Sequence, residues 1–299
     1  MKAYFGWFLK GAAMGAANVI PGVSGGTIAF ITGIYERLIK ALKNCDLTAI
    51  QLLVKGKFKE FSVHVDLVFL IFIFGGIGVS ILSLAKILEI AFTDFETLTL
   101  SFFFGLIIAS IFGVGKQITT LNTPVIVSFL VGLAIAVSIA FLPPASANEG
   151  VLYVFLCGAV AISSMILPGL SGSYVLLLMG NYILVLQSIS GLRFMILIPF
   201  GIGCAVGLVT FSRLLSFLFD RCKNATISLL TGFVAGSLMI IWPWKHAEYK
   251  MIEGKEKAIG YEWLVPGLDT SLLMALALMA IGFLTVWLID RAGSSKPVE

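Results

Sequence analysis

Six uninterrupted apolar runs pattern this chain, at about 67–92, 98–114, 123–143, 194–219, 225–243 and 270–289. A helix that crosses a bilayer needs about 20 such residues, so each run predicts a transmembrane helix. Two further regions, 4–42 and 150–189, are equally apolar but are broken near their middles. The breaks read Ile20-Pro21-Gly22-Val23-Ser24-Gly25-Gly26 and Leu167-Pro168-Gly169-Leu170-Ser171-Gly172-Ser173. Proline removes a backbone donor and glycine favours non-helical angles, so neither region forms one continuous helix. Irregular backbone at membrane depth survives only where protein or a water-filled cavity satisfies it. Two buried helix–break–helix hairpins are therefore expected.

The two breaks repeat. Pro21, Gly22, Ser24, Gly25, Gly33 and Tyr35 match Pro168, Gly169, Ser171, Gly172, Gly180 and Tyr182 at an offset of 147. Downstream the offset becomes 127, where Lys86 meets Arg213, Thr99 meets Thr226, Ser101 meets Ser228, Gly105 meets Gly232 and Ser110 meets Ser237. The difference places an insertion of 20 residues in the first half, in the polar stretch 43–66. Three full spans separate the hairpins, and an odd number turns the second half over relative to the first. The expected fold is an all-α polytopic membrane protein. It is one integral membrane domain over 1–299, an inverted repeat of 4–143 (with the basic insertion 43–66) and 150–290. Each half is a re-entrant hairpin plus three transmembrane helices. Inverted repeats with broken helices meeting near the midplane characterise secondary transporters.

Composition narrows the class further. The chain is 59% apolar and 12% charged, against about 45–50% and roughly 25% for soluble domains. This excludes a soluble enzyme, a disulfide scaffold and a disordered chain. Long apolar runs also exclude an outer-membrane barrel, whose strands alternate. With the N-terminus inside, thirteen cations fall on cytoplasmic segments and five on outer ones, as the positive-inside rule requires. Both termini are expected in the cytoplasm. Trp242, Trp244 and Trp263 flank the outer loop 244–269 as interfacial anchors. Cys45, Cys157, Cys204 and Cys222 have no metal-ligand spacing, and no metal, cofactor or nucleic-acid partner is expected.

A break that leads into a helix offers N–H groups and the positive end of a helix dipole, which suits an anion, phosphate in particular. Gly25, Gly26 and Thr27 open the second helix of hairpin one; Gly172, Ser173 and Tyr174 open that of hairpin two. Ser24 and Ser171 add hydroxyl donors. Tight helix packing also explains such glycines, as at Gly11/Gly15, Gly203/Gly207 and Gly232/Gly236. Lys86 and Arg213 are the basic residues inside expected spans, at equivalent positions. They read as substrate cations or as snorkelling side chains, and Glu89 as an ion-pair partner of Lys86 or a proton carrier. Asn18, just before the first break, fits a ligand contact or a cap; Glu36 and Arg37, at the end of hairpin one, fit interfacial charges or a headgroup contact. Asn181 is a further polar candidate. Lys55, Lys57 and Lys59 among apolar neighbours suggest an amphipathic segment on the anionic inner leaflet.

Gly22-Val23-Ser24-Gly25-Gly26 also fits the G-x-S-x-G pattern of serine hydrolases. His64 and His246, the two histidines, fall in loops on opposite sides, away from any such serine. No nucleotide-binding P-loop is present, which excludes ATP-driven transport by this chain alone; no residue is expected to be catalytic. A small-anion transporter or channel is the other non-enzymatic reading.

The run Asn18-Val-Ile-Pro-Gly-Val-Ser-Gly-Gly-Thr27 with Gly33-Ile-Tyr-Glu-Arg37, and Leu167-Pro-Gly-Leu-Ser-Gly-Ser-Tyr174 with Gly180-Asn-Tyr182, resemble the PopT-type polyprenyl-phosphate transporter family. The likeness covers nearly the whole chain. It implies a multi-pass protein of the bacterial inner membrane. Its substrate would be undecaprenyl phosphate, returned from the outer to the cytoplasmic leaflet for recycling in cell-wall synthesis. On that reading the phosphate sits at Asn18, Gly22, Ser24, Gly25, Gly26, Thr27, Gly169, Ser171, Gly172 and Ser173, with Lys86, Arg213, Glu36 and Arg37 as candidate charges. Its partners are the polyprenyl-phosphate lipid and membrane lipids.

Overall fold

The structure, a computed structural model, describes residues 2–19, 24–252 and 255–294. Hairpin one is α1 (Lys2–Val19), α2 (Gly25–Ile31) and α3 (Tyr35–Lys43). The insertion forms two short helices, α4 (Leu47–Val54) and α5 (Phe58–His64). Then come α6 (Leu67–Asp94), α7 (Glu96–Gly115) and α8 (Thr123–Ala140). Hairpin two is α9 (Val151–Ile166), α10 (Gly172–Leu178) and α11 (Tyr182–Ser190), followed by α12 (Phe194–Arg221), α13 (Lys223–Gly236) and α14 (Thr270–Ser294). Four helices, α7, α8, α12 and α14, are each long and apolar enough to cross a membrane; the bent pairs α5–α6 and α10–α11 raise the candidates to six. This is a multi-pass, predominantly helical membrane protein.

Element boundaries recur at the offsets read from the sequence. The helices α2 and α10 have 7 residues each, α3 and α11 have 9, and α6 and α12 have 28. Gly33 and Gly180 turn the corner after the short helices with φ of 72° and 76°, left-handed angles that favour glycine. Phe95 and Cys222 share φ −137° where one long helix hands over to the next. Pairing follows a common scheme: α1 lies along α6 and α9 along α12, while α7 packs on α14 and α8 on α13.

Close backbone approach explains these pairings. A Cβ on Gly11 would fall 2.2 Å from Ile73 O, one on Gly203 2.0 Å from Phe155 O, and one on Gly232 2.2 Å from Phe129 O. Within a bilayer, dispersion between closely apposed backbones replaces the hydrophobic drive that folds soluble bundles. Large apolar side chains such as Leu82, Leu152 and Met195 are left exposed, as lipid-facing positions require.

Two segments differ from the sequence reading. The expected span 225–243 is helical only to Gly236, then tightens into a 3-10 turn, Ser237–Met239, where the Ser237 hydroxyl donates to Val234 O at 2.8 Å. The segment 244–269, expected as an outer loop, holds a two-stranded antiparallel hairpin, β1 (Lys245–Ile252) and β2 (Lys255–Trp263), with an irregularity at Glu248/Tyr249. Main-chain pairing made this ribbon, and its residues carry no clear alternation. The expected tryptophan anchors close its base: Trp263 Nε1 donates to Met239 O and Trp242 Nε1 to Leu264 O.

Candidate substrate site at the paired helix breaks

The N-terminus of α2 is buried, and its orphan amides need acceptors. Ser24, in extended conformation, is the N-cap, and its hydroxyl accepts from Gly26 N at 3.2 Å. Asn18, the last-but-one residue of α1, reaches across the break so that its Oδ1 accepts from Gly25 N at 2.8 Å. Thr27 N donates to Ser24 O. The sequence reading left these amides open to an anion; in the structure the chain's own oxygens occupy all three. Gly22 lies outside the described residues.

The second break docks onto the first. Gly169 N donates to Thr27 Oγ1 at 2.8 Å, and the Ser24 hydroxyl lies 3.3 Å from Leu167 O and 3.4 Å from Met165 O. A Cβ on Gly26 would stand 2.6 Å from Ile166 O, so only glycine lets the breaks come this close. Gly169 has φ 86° and lies against Phe233 O. Ser24 and Thr27 are buried. Among the described residues, the hydroxyl of Ser24 bonds to main-chain groups.

The second break is arranged differently. Ser171 is the N-cap of α10 but makes no side-chain cap. Its hydroxyl pairs instead with that of Ser173 at 2.8 Å, and Ser173 is exposed. A Cβ on Gly172 would lie 2.6 Å from Ala161 O. One break is therefore closed by its own chain, and the other presents a pair of hydroxyls at the surface.

The far ends of both short helices are tied down by their own hairpins. Lys10 Nζ donates to Thr32 O and Tyr153 Oη to Met179 O, each at 2.8 Å. Thr32 and Met179 are equivalent residues, both C-caps, whose carbonyls lack helical partners. Lys10, one of the thirteen cations assigned above to cytoplasmic segments, acts inside α1. Asn181 is fully buried and clamps Asn148: its Oδ1 accepts from Asn148 N at 2.9 Å and its Nδ2 donates to Asn148 O at 2.8 Å. Asn181→Ala would leave both main-chain groups without that partner, and a loss of about 2–4 kcal/mol is expected. Thermal unfolding in detergent reads this directly; an unshifted midpoint would make the clamp dispensable.

Glu36 and Arg37 stand in the first turn of α3, separated along the chain from the first break by α2 and the turn at Gly33. They line a cavity of about 500 Å³ with Gly33, Lys40, Asn44, His64 and Asp66. Lys223 Nζ donates to Glu36 at 2.8 Å and Lys40 Nζ at 3.0 Å; led by Lys223, they hold the Glu36 carboxyl below its ordinary pKa. Arg213 is about half exposed and stands 4.0 Å from Asp46 in the insertion. Burial pushes the Asp46 carboxyl up, but the Ala49 N–H and His64 outweigh it and hold it down. The side chains of Lys86 and Glu89 lie outside the described residues. The structure thus gathers Asn18, Ser24, Gly25, Gly26, Thr27 and Gly169 into one contact, with Ser171, Gly172 and Ser173 on the adjoining helix start. It sets Glu36 and Arg37 in a second locus and pairs Arg213 with the insertion. Sequence reasoning missed Lys10, Tyr153, Asp46 and Asp66; an isolated lysine within an apolar run was the available signal for the first.

A family model described as undecaprenyl phosphate translocase-like matches residues 14–259, which include both breaks and the cavity. The chain belongs to that family. It is 40% identical over 242 residues to a polyprenyl-phosphate transporter of Vibrio cholerae serotype O1, covering 81% of this chain and 79% of that protein. It is 30% identical over 259 residues to a polyprenyl-phosphate transporter of Staphylococcus aureus strain NCTC 8325, covering 80% and 87%. No solved structure matches the chain.

Proposed function

We propose that this chain carries undecaprenyl phosphate from the outer to the cytoplasmic leaflet of the bacterial inner membrane. The observation that carries this reading is the direct contact of the two breaks through Thr27 and Gly169, in a chain whose relatives are named polyprenyl-phosphate transporters. In the closed arrangement each break satisfies the other. When the halves 4–143 and 150–290 part, Gly169 N–H and the hydroxyls of Ser24 and Thr27 lose partners. Phosphate oxygens replace them, and the Ser171/Ser173 hydroxyls add donors. Charge-assisted bonds of this kind are roughly twice as strong as neutral ones, which offsets the cost of separation. The isoprenoid tail stays in lipid against the exposed apolar side chains. The halves rock in opposite orientation, exposing the headgroup to each leaflet in turn. Lys86 and Arg213 neutralise charge toward the ends of the path, and the termini face the cytoplasm.

Leaflet-sided labelling of a fluorescent polyprenyl phosphate in vesicles tests this. Ser24→Ala/Ser171→Ala/Ser173→Ala is expected to cut transport about tenfold or more, the loss of several charge-assisted bonds. Full transport by a folded triple variant would defeat the proposed headgroup site.

A further inference from the structure

The cavity beside the insertion has no charged counterpart in the second hairpin. Where hairpin one carries Glu36, Arg37 and Lys40, the equivalent positions are Ile183, Leu184 and Gln187. Val63, His64 and Asp66, at the end of the insertion that the second half lacks, also line the cavity. The repeat therefore accounts for the breaks but not for this chamber.

At its centre Arg37 makes a two-point fork: Nε lies 2.6 Å and Nη2 3.1 Å from the two oxygens of Asp66. The guanidinium packs over Trp7 and Phe69, 4.3 and 4.5 Å from the ring centroids. It is held in place by aromatic faces, so exchanging its anion does not require moving the arginine. Asp66 is the unusual partner. It is the N-cap of α6, a position where aspartate normally accepts from the helix amides. Yet it makes no cap and sits at φ 52°. Its carboxylate serves Arg37 instead. A planar fork of N–H donors fits a phosphate as well as it fits a carboxylate.

We propose that the chamber is a second phosphate-monoester site, where the incoming phosphate takes the Arg37 fork from Asp66. The displaced carboxylate turns to water, since the Asp66 side chain is about one-third exposed. The site deepens the transport reading above and rests on it for its place in the cycle. It gives one end of a repeated device a receptor that the other end does not have. The shared chemistry is a dianionic phosphate, of a lipid headgroup or of free phosphate.

The test uses the purified full-length chain in nanodiscs, with calorimetric binding of farnesyl phosphate, inorganic phosphate and farnesol. Arg37→Gln is expected to weaken farnesyl phosphate about tenfold or more, and Arg37→Lys less, because it keeps charge but loses the fork. Asp66→Asn is expected to tighten binding several-fold: the competing negative charge is gone, and asparagine is tolerated at the left-handed φ of 52° found here. A purely structural ion pair would not tighten. Unchanged binding in both Arg37 variants, or an Asp66→Asn protein that binds as weakly as Arg37→Gln, overturns the proposal. Inorganic phosphate competing as well as farnesyl phosphate assigns the site to free phosphate, and failure to compete assigns it to the lipid; both retain the site, whereas equal binding of farnesol removes it. The triple serine variant separates the two readings. Retained binding with lost transport supports both sites, retained binding with full transport sinks only the break site, and lost binding places the phosphate at the breaks and sinks the chamber.

Discussion

Gly169→Ala is expected to destabilise the chain by about 2–5 kcal/mol and to abolish transport. Two costs add at this residue. Its φ of 86° is left-handed, which costs an L-residue about 1–2 kcal/mol. A Cβ there would stand 2.6 Å from Phe233 O and 2.9 Å from Val234 Cα. Both are backbone atoms of α13 and cannot rotate away, so overpacking adds about 1–3 kcal/mol. The strain falls at the point where Gly169 N meets Thr27, so relief by backbone movement breaks the contact between hairpins. Gly201→Ala is the matched control, since no atom lies within 4 Å of a Cβ there and alanine is the better helix former. Melting curves in detergent should shift downward for the first and slightly upward or not at all for the second. Equal midpoints for Gly169→Ala and the unsubstituted chain would contradict the close approach.

Thr27→Val should lower transport about tenfold and open the breaks. Valine preserves shape but removes the oxygen that accepts from Gly169 N. Thr27 is 1% exposed, and a buried amide stripped of its partner costs about 1–3 kcal/mol. The cost falls on the closed arrangement alone, so the balance between closed and parted halves shifts by about 5- to 150-fold. Two measurements check this: sided lipid transport, and thiol labelling of a Leu170→Cys reporter, buried in the closed arrangement, in a background with Cys45, Cys157, Cys204 and Cys222 replaced by alanine; labelling should speed up with Thr27→Val. Thr27→Ser keeps the hydroxyl and should restore both. Labelling and transport at unsubstituted rates would show that the hydroxyl has no part in closure.

Local chemistry made much of this architecture readable in advance. Proline followed directly by glycine is a strong helix breaker, so the positions of both breaks followed from Pro21-Gly22 and Pro168-Gly169, whereas the isolated Pro199 is carried inside α12. The observed α2, α3, α10 and α11 begin at residues related by the same offset as those prolines. Hydropathy located the long helices because lipid leaves no other way to satisfy their backbone. The ribbon at 245–263 was not readable, because neither strand carries a solvent–core alternation and main-chain pairing alone defines it. The candidate site was legible only as a set of residues. Ser24, Thr27 and Gly169 stood out by type, but nothing local says that a threonine oxygen from one break meets an amide 142 residues away.

Charge shows the same division. That Arg37 and Arg213 carry permanent charge is a property of the residue; that the first faces Asp66 and the second Asp46 depends on where the insertion folds back. Residue order alone established a repeated, lipid-embedded helical chain with two interrupted hairpins, since turn chemistry and apolar length act over a few neighbours. Three-dimensional packing chose which orphan amides are already satisfied, which hydroxyls remain at the surface, and where a charged chamber forms. Those outcomes arise from hydrogen bonds and ion pairs between segments far apart along the chain, whose meeting costs conformational entropy that only the assembled bundle offsets.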